Sequence, residues 1–339
     1  MSSAPIWITE AEVVSLIDMG EAIQAVESGF RAEAAGGATN LLKTHLSLPT
    51  GSVHSIGGVL SNDSVVGVKS WTHTAGGATP LLTLWNSADG SLMAVIEAFA
   101  LGQYRTAGVA GAATHALASS DATHLAMIGT GHQALTQAGA VMAVRPIDTI
   151  TVWSPRAPRR EEFAQSVANA LGVRTVVADS AEEACERADI VTLITRSRAS
   201  FLSAEALNPG THVNALGAIT PERAEFEPKL LARCDVVAVD SVAQVRKLSQ
   251  EFQQFYGDDA GAWASVKPLA DYAGDVVQRP AGADLTLFKS MGVGIADVSI
   301  GFFVYQQAVE NRIGSPLSTP SPSRPRLRSN LQRAGVGYV

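Results

Sequence analysis

His124-Leu-Ala-Met-Ile-Gly-Thr-Gly-His-Gln-Ala134 reads as a strand, a glycine turn and the start of a helix. Gly129, Gly131 and Ala134 have the spacing G-x-G-x-x-A. In a dinucleotide-binding unit the first glycine permits the tight turn and the second lets the backbone approach a pyrophosphate. The third position, small here, allows close strand–helix packing. Free N–H groups at the helix start then face the phosphates. Glycine turns are common in α/β proteins, so the surroundings decide the reading.

Downstream, the chain alternates. A helix to about Val144 leads to a strand at Thr149–Ser154. Pro158–Leu171 reads as helix, Arg174–Ala178 as strand and Ala181–Ala188 as helix. Asp189–Thr195, Thr211–Gly217 and Asp235–Asp240 read as further strands. This alternation predicts an α/β fold, a Rossmann-type doubly wound parallel sheet, over residues 121–304. The glycine turn follows its first strand, as a dinucleotide site requires. The second strand ends Trp153-Ser154-Pro155-Arg156, with Arg159 and Arg160 close behind. No acid stands there to bond the ribose hydroxyls, whereas a hydroxyl and guanidinium groups suit a 2′-phosphate. NADP(H) is therefore favoured and NAD(H) remains possible. The other reading of these arginines is a solvated helix start.

Upstream, the pattern differs. Thr9 caps a helix with an acidic first turn, and Met19–Ala35 reads as a second helix ended by Gly36-Gly37. Leu41–Pro49, Ser52–Leu60, Val65–His73, Pro80–Trp85 and Ser91–Glu97 read as strands, the last two flanking the turn Asp89-Gly90. Strands without helical crossovers predict a mainly antiparallel sheet, and so a separate α+β unit. Lys69 lies inside an apolar strand, Val66-Gly-Val-Lys-Ser-Trp71. It is either a strand lysine whose head reaches water or an ammonium in a partly closed pocket. Lys43 poses the same choice. Arg105 is the one charge on a small-residue helix from about Phe99 to Ala118. If buried it needs an anionic partner: a protein carboxylate, a substrate carboxylate or a cofactor phosphate. His45, His54 and His73 fall among these upstream strands, where a place in the pocket wall is one reading; isolated strand histidines are ordinarily structural or exposed.

The chain has 339 residues, 46% of them hydrophobic and 17% charged, with room for two cores. A net charge of -7 argues against a broad nucleic-acid surface. No apolar run reaches membrane-span length, and neither a membrane nor a nucleic-acid partner is expected. Met-Ser-Ser-Ala-Pro-Ile-Trp lacks a basic region before an apolar core. Cys185 and Cys234 form neither a disulfide framework nor a zinc pattern, so no metal and a cytoplasmic setting are expected.

Several segments together resemble the ornithine cyclodeaminase / mu-crystallin family, in that family's order, over roughly residues 5–312. They are Gly67-Val-Lys69, Tyr104-Arg-Thr-Ala107, Ile128-Gly-Thr-Gly-His-Gln-Ala134, Asn214-Ala-Leu-Gly217, and Leu287-Phe-Lys-Ser-Met-Gly292 with Asp297 after it. The resemblance implies that the dinucleotide domain is inserted in a smaller substrate-binding and dimerisation domain, residues 1–120 plus 305–314, and that the protein is a homodimer. It implies that Lys69 sits by the reacting carbon, and that Arg105 binds the substrate carboxylate or lies beside the cofactor. Lys43 falls near the position where many members carry a carboxylate-gripping arginine, where it supplies charge without the bidentate fork. The cofactor then falls to Gly129, Gly131, His132, Gln133, Ala134, Ser154, Arg156, Arg159, Leu216, Lys289 and Gly292. Asp297 has a plainer reading as an acid in a helix's first turn.

In cyclodeaminases of that family the segment after the N-A-x-G strand end carries an aspartate. Here the run is Gly217-Ala-Ile-Thr-Pro221, and Ile219 cannot transfer protons. The sequence thus favours reduction of a preformed C=N bond, in a small imino acid or cyclic ketimine, by an NAD(P)H-dependent oxidoreductase. Ornithine or lysine cyclodeamination and mu-crystallin-like ligand binding are the alternatives. Ser249–Asp275 reads as a mixed helical region. Residues 315–339, rich in Ser, Pro and Arg, read as a flexible tail.

Overall fold

The computed structural model describes residues 4–273 and 278–325. The N-terminal unit begins with β1 (Ile6–Ile8), α1 (Glu10–Leu16) and α2 (Met19–Ala34). Both helices open with a reciprocal capping box, Thr9 with Glu12 and Asp18 with Glu21. Each such cap contributes about 1 kcal/mol. Seven strands follow: β2 (Ala38–Asn40), β3 (Thr44–Leu48), β4 (Gly51–Leu60), β5 (Val65–Thr74), β6 (Gly77–Ala78), β7 (Leu81–Asn86) and β8 (Leu92–Glu97). Then comes α3 (Phe99–Leu117). The ladder β8–β7–β5–β4–β2 is antiparallel throughout, while β1 joins β8 in parallel. The strands alternate in burial, and Leu82 and Leu84 are completely enclosed.

The second unit is parallel. Its strands are β9 (His124–Ile128), β10 (Thr149–Trp153), β11 (Arg174–Val177), β12 (Ile190–Leu193), β13 (His212–Ala215), β14 (Cys234–Val239), β15 (Val266–Pro268) and β16 (Leu285–Lys289). Its helices are α4 (Ala134–Val144), α5 (Ala157–Leu171), α6 (Ala181–Cys185), α7 (Val242–Leu248), α8 (Gln250–Tyr256), α9 (Ala260–Trp263) and α10 (Leu269–Ala273). The order is β11-β10-β9-β12-β13-β16-β14-β15, every pair parallel. This is the doubly wound sheet that the alternation predicts, with its direction of winding reversing between β9 and β12. Within the segment expected to be mixed helix, Val266–Pro268 is instead a strand, because it finds β14 free as an edge. Residues 274 and 275 of that segment lie outside the described residues.

The chain then returns to the first sheet with α11 (Gly294–Asn311) and β17 (Ser315–Pro316). A Cβ at Gly294 would stand 2.0 Å from the Gly57 carbonyl oxygen, and one at Gly67 would stand 2.8 Å from Val298. Glycine on both sides lets α11 lie directly on β4 and β5. Its first turn therefore packs on the first sheet, and the boundary expected between 304 and 305 cuts one helix in two. The expected tail also starts too early. Ser315–Pro316 pairs with β1, and Leu317 N–H donates to the Pro5 carbonyl at 2.7 Å. Residues 326–339 of the tail lie outside the described residues. No helix among the described residues is long and apolar enough to cross a membrane.

Candidate active site

The close seating of α11 brings Asp297 against Lys69 of β5 and Arg105 of α3. Asp297 is completely buried, and Lys69 is 3% exposed. The Lys69 ammonium donates to Asp297 Oδ1, and Arg105 Nε stands 3.3 Å from each Asp297 oxygen. One carboxylate thus serves two cations, an arrangement that becomes costly when one partner is removed. Burial pushes the Lys69 ammonium down to about 8, although Asp297 pulls it upward and Arg105 adds to the depression. Lys69 Nζ also lies 5.3 Å from the centre of the Trp71 ring. Lys43, between β2 and β3, donates to the Met291 carbonyl at 3.2 Å. Burial, then Arg105, holds its ammonium below the ordinary lysine range.

A cleft of about 950 Å³ runs between the two sheets. Lys43, His54, Trp71 and Arg105 line one end, and the glycine turn with Ser154 and Arg156 lines the other. Gly129 has φ +118°, and a Cβ there would meet the Ile194 carbonyl oxygen at 2.6 Å, so only glycine makes this turn. A Cβ on Gly131 would have no neighbour within 4 Å, which leaves the backbone open to a ligand. No side chain caps the N-terminus of α4, and Gln133 Oε1 is buried without a partner. Thr130 Oγ1 and Ser154 Oγ lie 3.3 Å apart at the ends of β9 and β10. Uncapped N–H groups and open backbone fit a dinucleotide phosphate group, while the orphaned Gln133 amide oxygen is an acceptor and calls for a donor instead.

The sequence profile of the ornithine cyclodeaminase/mu-crystallin family matches residues 5–312. The chain belongs to that family. Its relatives there include the Delta(1)-pyrroline-2-carboxylate reductase of Bacillus cereus (strain ZK / E33L), 29% identical over 69% of this chain and 72% of that protein. The alanine dehydrogenase of Archaeoglobus fulgidus is 29% identical over 91% of this chain and 97% of its own. Among solved structures, the Thermococcus litoralis Delta(1)-pyrroline-2-carboxylate reductase in complex with NADH and L-proline has a TM-score of 0.85. It is 26% identical, over 92% of this chain and 100% of that one. An archaeal alanine dehydrogenase dimer with bound NAD has a TM-score of 0.84 at 27% identity, over 93% and 99%.

In this member of the family the cleft gathers Lys43, Arg105, Gly129, Gly131, His132, Gln133, Ser154, Arg156, Leu216 and Gly292. Lys69 is buried and does not line the cleft; its ammonium faces Asp297 and the Trp71 ring. Ala134 is fully buried below the turn. Arg159 sits on the face of α5 and pairs with Glu162 at 3.3 Å. Lys289 is in the core, donating to the Ala218 carbonyl at 2.7 Å, with Glu251 at 3.8 Å. It reaches the cleft only through the loop it holds. Asp297 is not simply an acid in a first helical turn; it is the buried partner of both cations. His54 also departs from the expected structural role: it lines the cleft, stacked on Trp71 at 4.8 Å, with His45 4.7 Å away on its other side. Their register explains the stack, because His54 pairs with Trp71 on β5 and with His45 on β3. Sequence reasoning missed Trp71, Arg196 and Arg223, which all line the cleft. The i, i+2 spacing of Lys69 and Trp71 was the available signal for the first.

Proposed function

We propose that the chain is an NAD(P)H-dependent reductase of the C=N bond of a small imino acid or cyclic ketimine, of the pyrroline- or piperideine-2-carboxylate kind. The reverse reaction is amino-acid dehydrogenation. One observation carries this reading: a single cleft joins a dinucleotide turn to a buried Lys69–Asp297–Arg105 cluster, and none of its described lining residues is Asp or Glu. Cyclodeamination needs an additional proton-transfer group on that wall. Ile219, 36% exposed, occupies the stretch where family cyclodeaminases place an aspartate.

When bound, reduced nicotinamide supplies a hydride to the imine carbon. Arg105 and Lys43 hold the substrate carboxylate, Arg105 through its planar fork and Lys43 as a point charge. Lys69 supplies the proton to the imine nitrogen. Its position near 8 keeps it protonated at pH 7 yet more acidic than an ordinary lysine, which suits a general acid. Its flexible stem swings the ammonium from Asp297 toward the cleft. The decisive test is NADPH and NADH oxidation against a panel of cyclic and linear imino acids. Turnover supports the reading. Cofactor binding without turnover of any of them sinks it in favour of a binding protein, and ammonia release from ornithine or lysine would restore the cyclodeaminase.

NADP(H) is the favoured cofactor because Ser154 and the exposed Arg156 close the adenosine end without an acid. Arg156→Ala is expected to raise the KM for NADPH about tenfold, the size of one lost charged hydrogen bond, and to leave that for NADH nearly unchanged. Equal effects on both cofactors remove Arg156 from phosphate recognition. A homodimer is proposed too. Leu42, in the loop before β3, and Leu46 on β3 are 93% and 63% exposed, apolar side chains suited to contact with a second copy. A monomer mass in sedimentation equilibrium overturns it.

A further inference from the structure

The ladder between β12 and β13 ends at Leu193 and Ala215, with one more bond from Leu216 N–H to the Leu193 carbonyl at 2.9 Å. Beyond it the backbone N–H groups of residues 195, 217 and 218 lose their strand partners. Buried donors must be satisfied. Here one side chain satisfies all three. Glu225 Oε1 accepts from Thr195 N–H at 2.6 Å and from the Thr195 hydroxyl at 2.8 Å. Glu225 Oε2 accepts from Gly217 N–H at 2.8 Å and from Ala218 N–H at 3.1 Å. Glu225 is completely buried. Its own N–H donates to Glu251 Oε1 at 3.1 Å.

The two segments joined in this way both reach the cleft. Thr195 and Arg196 line it from one strand end, and Leu216, Gly217 and Ile219 from the other. Gly217 is required by the same clamp, since a Cβ there would stand 2.2 Å from the Thr195 carbonyl oxygen and 2.4 Å from Glu225 Oε1. Lys289 ties the far side of the loop through the Ala218 carbonyl. In a doubly wound sheet the pyrophosphate lies at the first strand's turn, and the two nucleotide halves spread to either side of the switch point. Gly129, Ser154 and Arg156 belong to the β9–β10 side, so the β12–β13 side is left for the nicotinamide.

We infer that Glu225 is the positioning residue of the nicotinamide half of the cleft: its carboxylate holds the ends of β12 and β13 at the spacing the ring and the imine need. It touches neither ligand and acts through the Thr195 and Gly217-Ala218 backbone. The inference rests on reading the cleft as a dinucleotide site.

A cofactor fragment separates this role from general support of the fold. In Glu225→Gln the side chain keeps its shape, but its amide nitrogen can only donate, so one of the two strand ends loses its acceptor. Calorimetry is run on the full chain with intact NADPH and with 2′-phospho-ADP-ribose, which lacks the nicotinamide. The expected result is an NADPH affinity at least about tenfold weaker, with lowered kcat, and fragment affinity within about twofold of wild type. Equal weakening of both ligands, or no change in either, overturns the inference. If Glu225→Gln does not fold, Thr195→Val carries the test. It removes the hydroxyl's bond to Glu225, and the one the hydroxyl accepts from Ser197 N–H, while leaving the carboxylate in place, and it is expected to weaken NADPH severalfold and the fragment not at all. Wild-type protein that binds neither ligand, nor their counterparts without the 2′-phosphate, overturns the dinucleotide reading itself, which is distinguishable from a failure confined to the variants.

Discussion

Lys69→Met is expected to lower turnover of an imino acid by about 10²–10⁴-fold at pH 7, the range associated with a positioned general acid. Methionine matches the length of the lysine stem and tolerates irregular surroundings, so the strand keeps its packing. Asp297 keeps Arg105 as a partner at 3.3 Å, and the carboxylate is not left alone in the core. The cofactor end of the cleft lies across the sheet interface from this change. Cofactor affinity, read by nicotinamide fluorescence, is therefore expected to stay within about twofold, since uniform binding and transition-state stabilisation separate in such a variant. Undiminished turnover would take Lys69 out of the mechanism. A loss of cofactor binding equal to the loss of turnover would instead make it a structural lysine.

The parallel sheet was legible because its signals are local. A glycine turn between a strand and a helix, repeated alternation, and a switch to hairpin signals upstream each sit within a few residues. The family's lysine and arginine were legible as isolated charges in apolar stretches. What joins them was not. Asp297 lies 228 residues from Lys69 and 192 from Arg105, and an acid early in a helix has an ordinary explanation. Only the approach of α11 to Gly57 and Gly67 gives it a different one. Glu225 was hidden for a similar reason: its ligands are backbone N–H groups, which every sequence contains. Lys289 shows the reverse error. A motif lysine beside a cleft suggests contact with a ligand, yet its head turns inward to the Ala218 carbonyl. Trp71 and His54 become neighbours through strand register, and register depends on how β3, β4 and β5 pair rather than on spacing within any one of them.

Asp297→Asn is expected to move the alkaline limb of kcat/KM toward acid by at least about one pH unit. An opposite charge at this range moves its neighbour's titration toward the ionised form by about 1–3 pH units. In wild-type protein burial pushes Lys69 down to about 8 and Asp297 opposes that effect. The amide has the same shape and can still accept a hydrogen bond, but it carries no charge. With the opposing pull gone, the ammonium loses its proton at a lower pH. A proton donor must be protonated in the free enzyme, so kcat/KM falls as pH rises through this value. The wild-type limb is therefore expected near pH 8, and the variant's near 7 or below. At pH 8 about half of the wild-type lysine still carries its proton, against roughly a tenth or less in the variant, so kcat/KM there falls about fivefold or more. Arg105 contributes in the same direction, since its uncompensated charge further disfavours a second cation in the same buried space. Stability is expected to fall as well, because two desolvated cations lose their shared counter-charge. The profile isolates the mechanism from that loss: a merely less stable protein loses activity at every pH and keeps its limb. An alkaline limb unchanged in the variant, in protein shown by its melting curve to be folded, assigns the proton to a group other than Lys69.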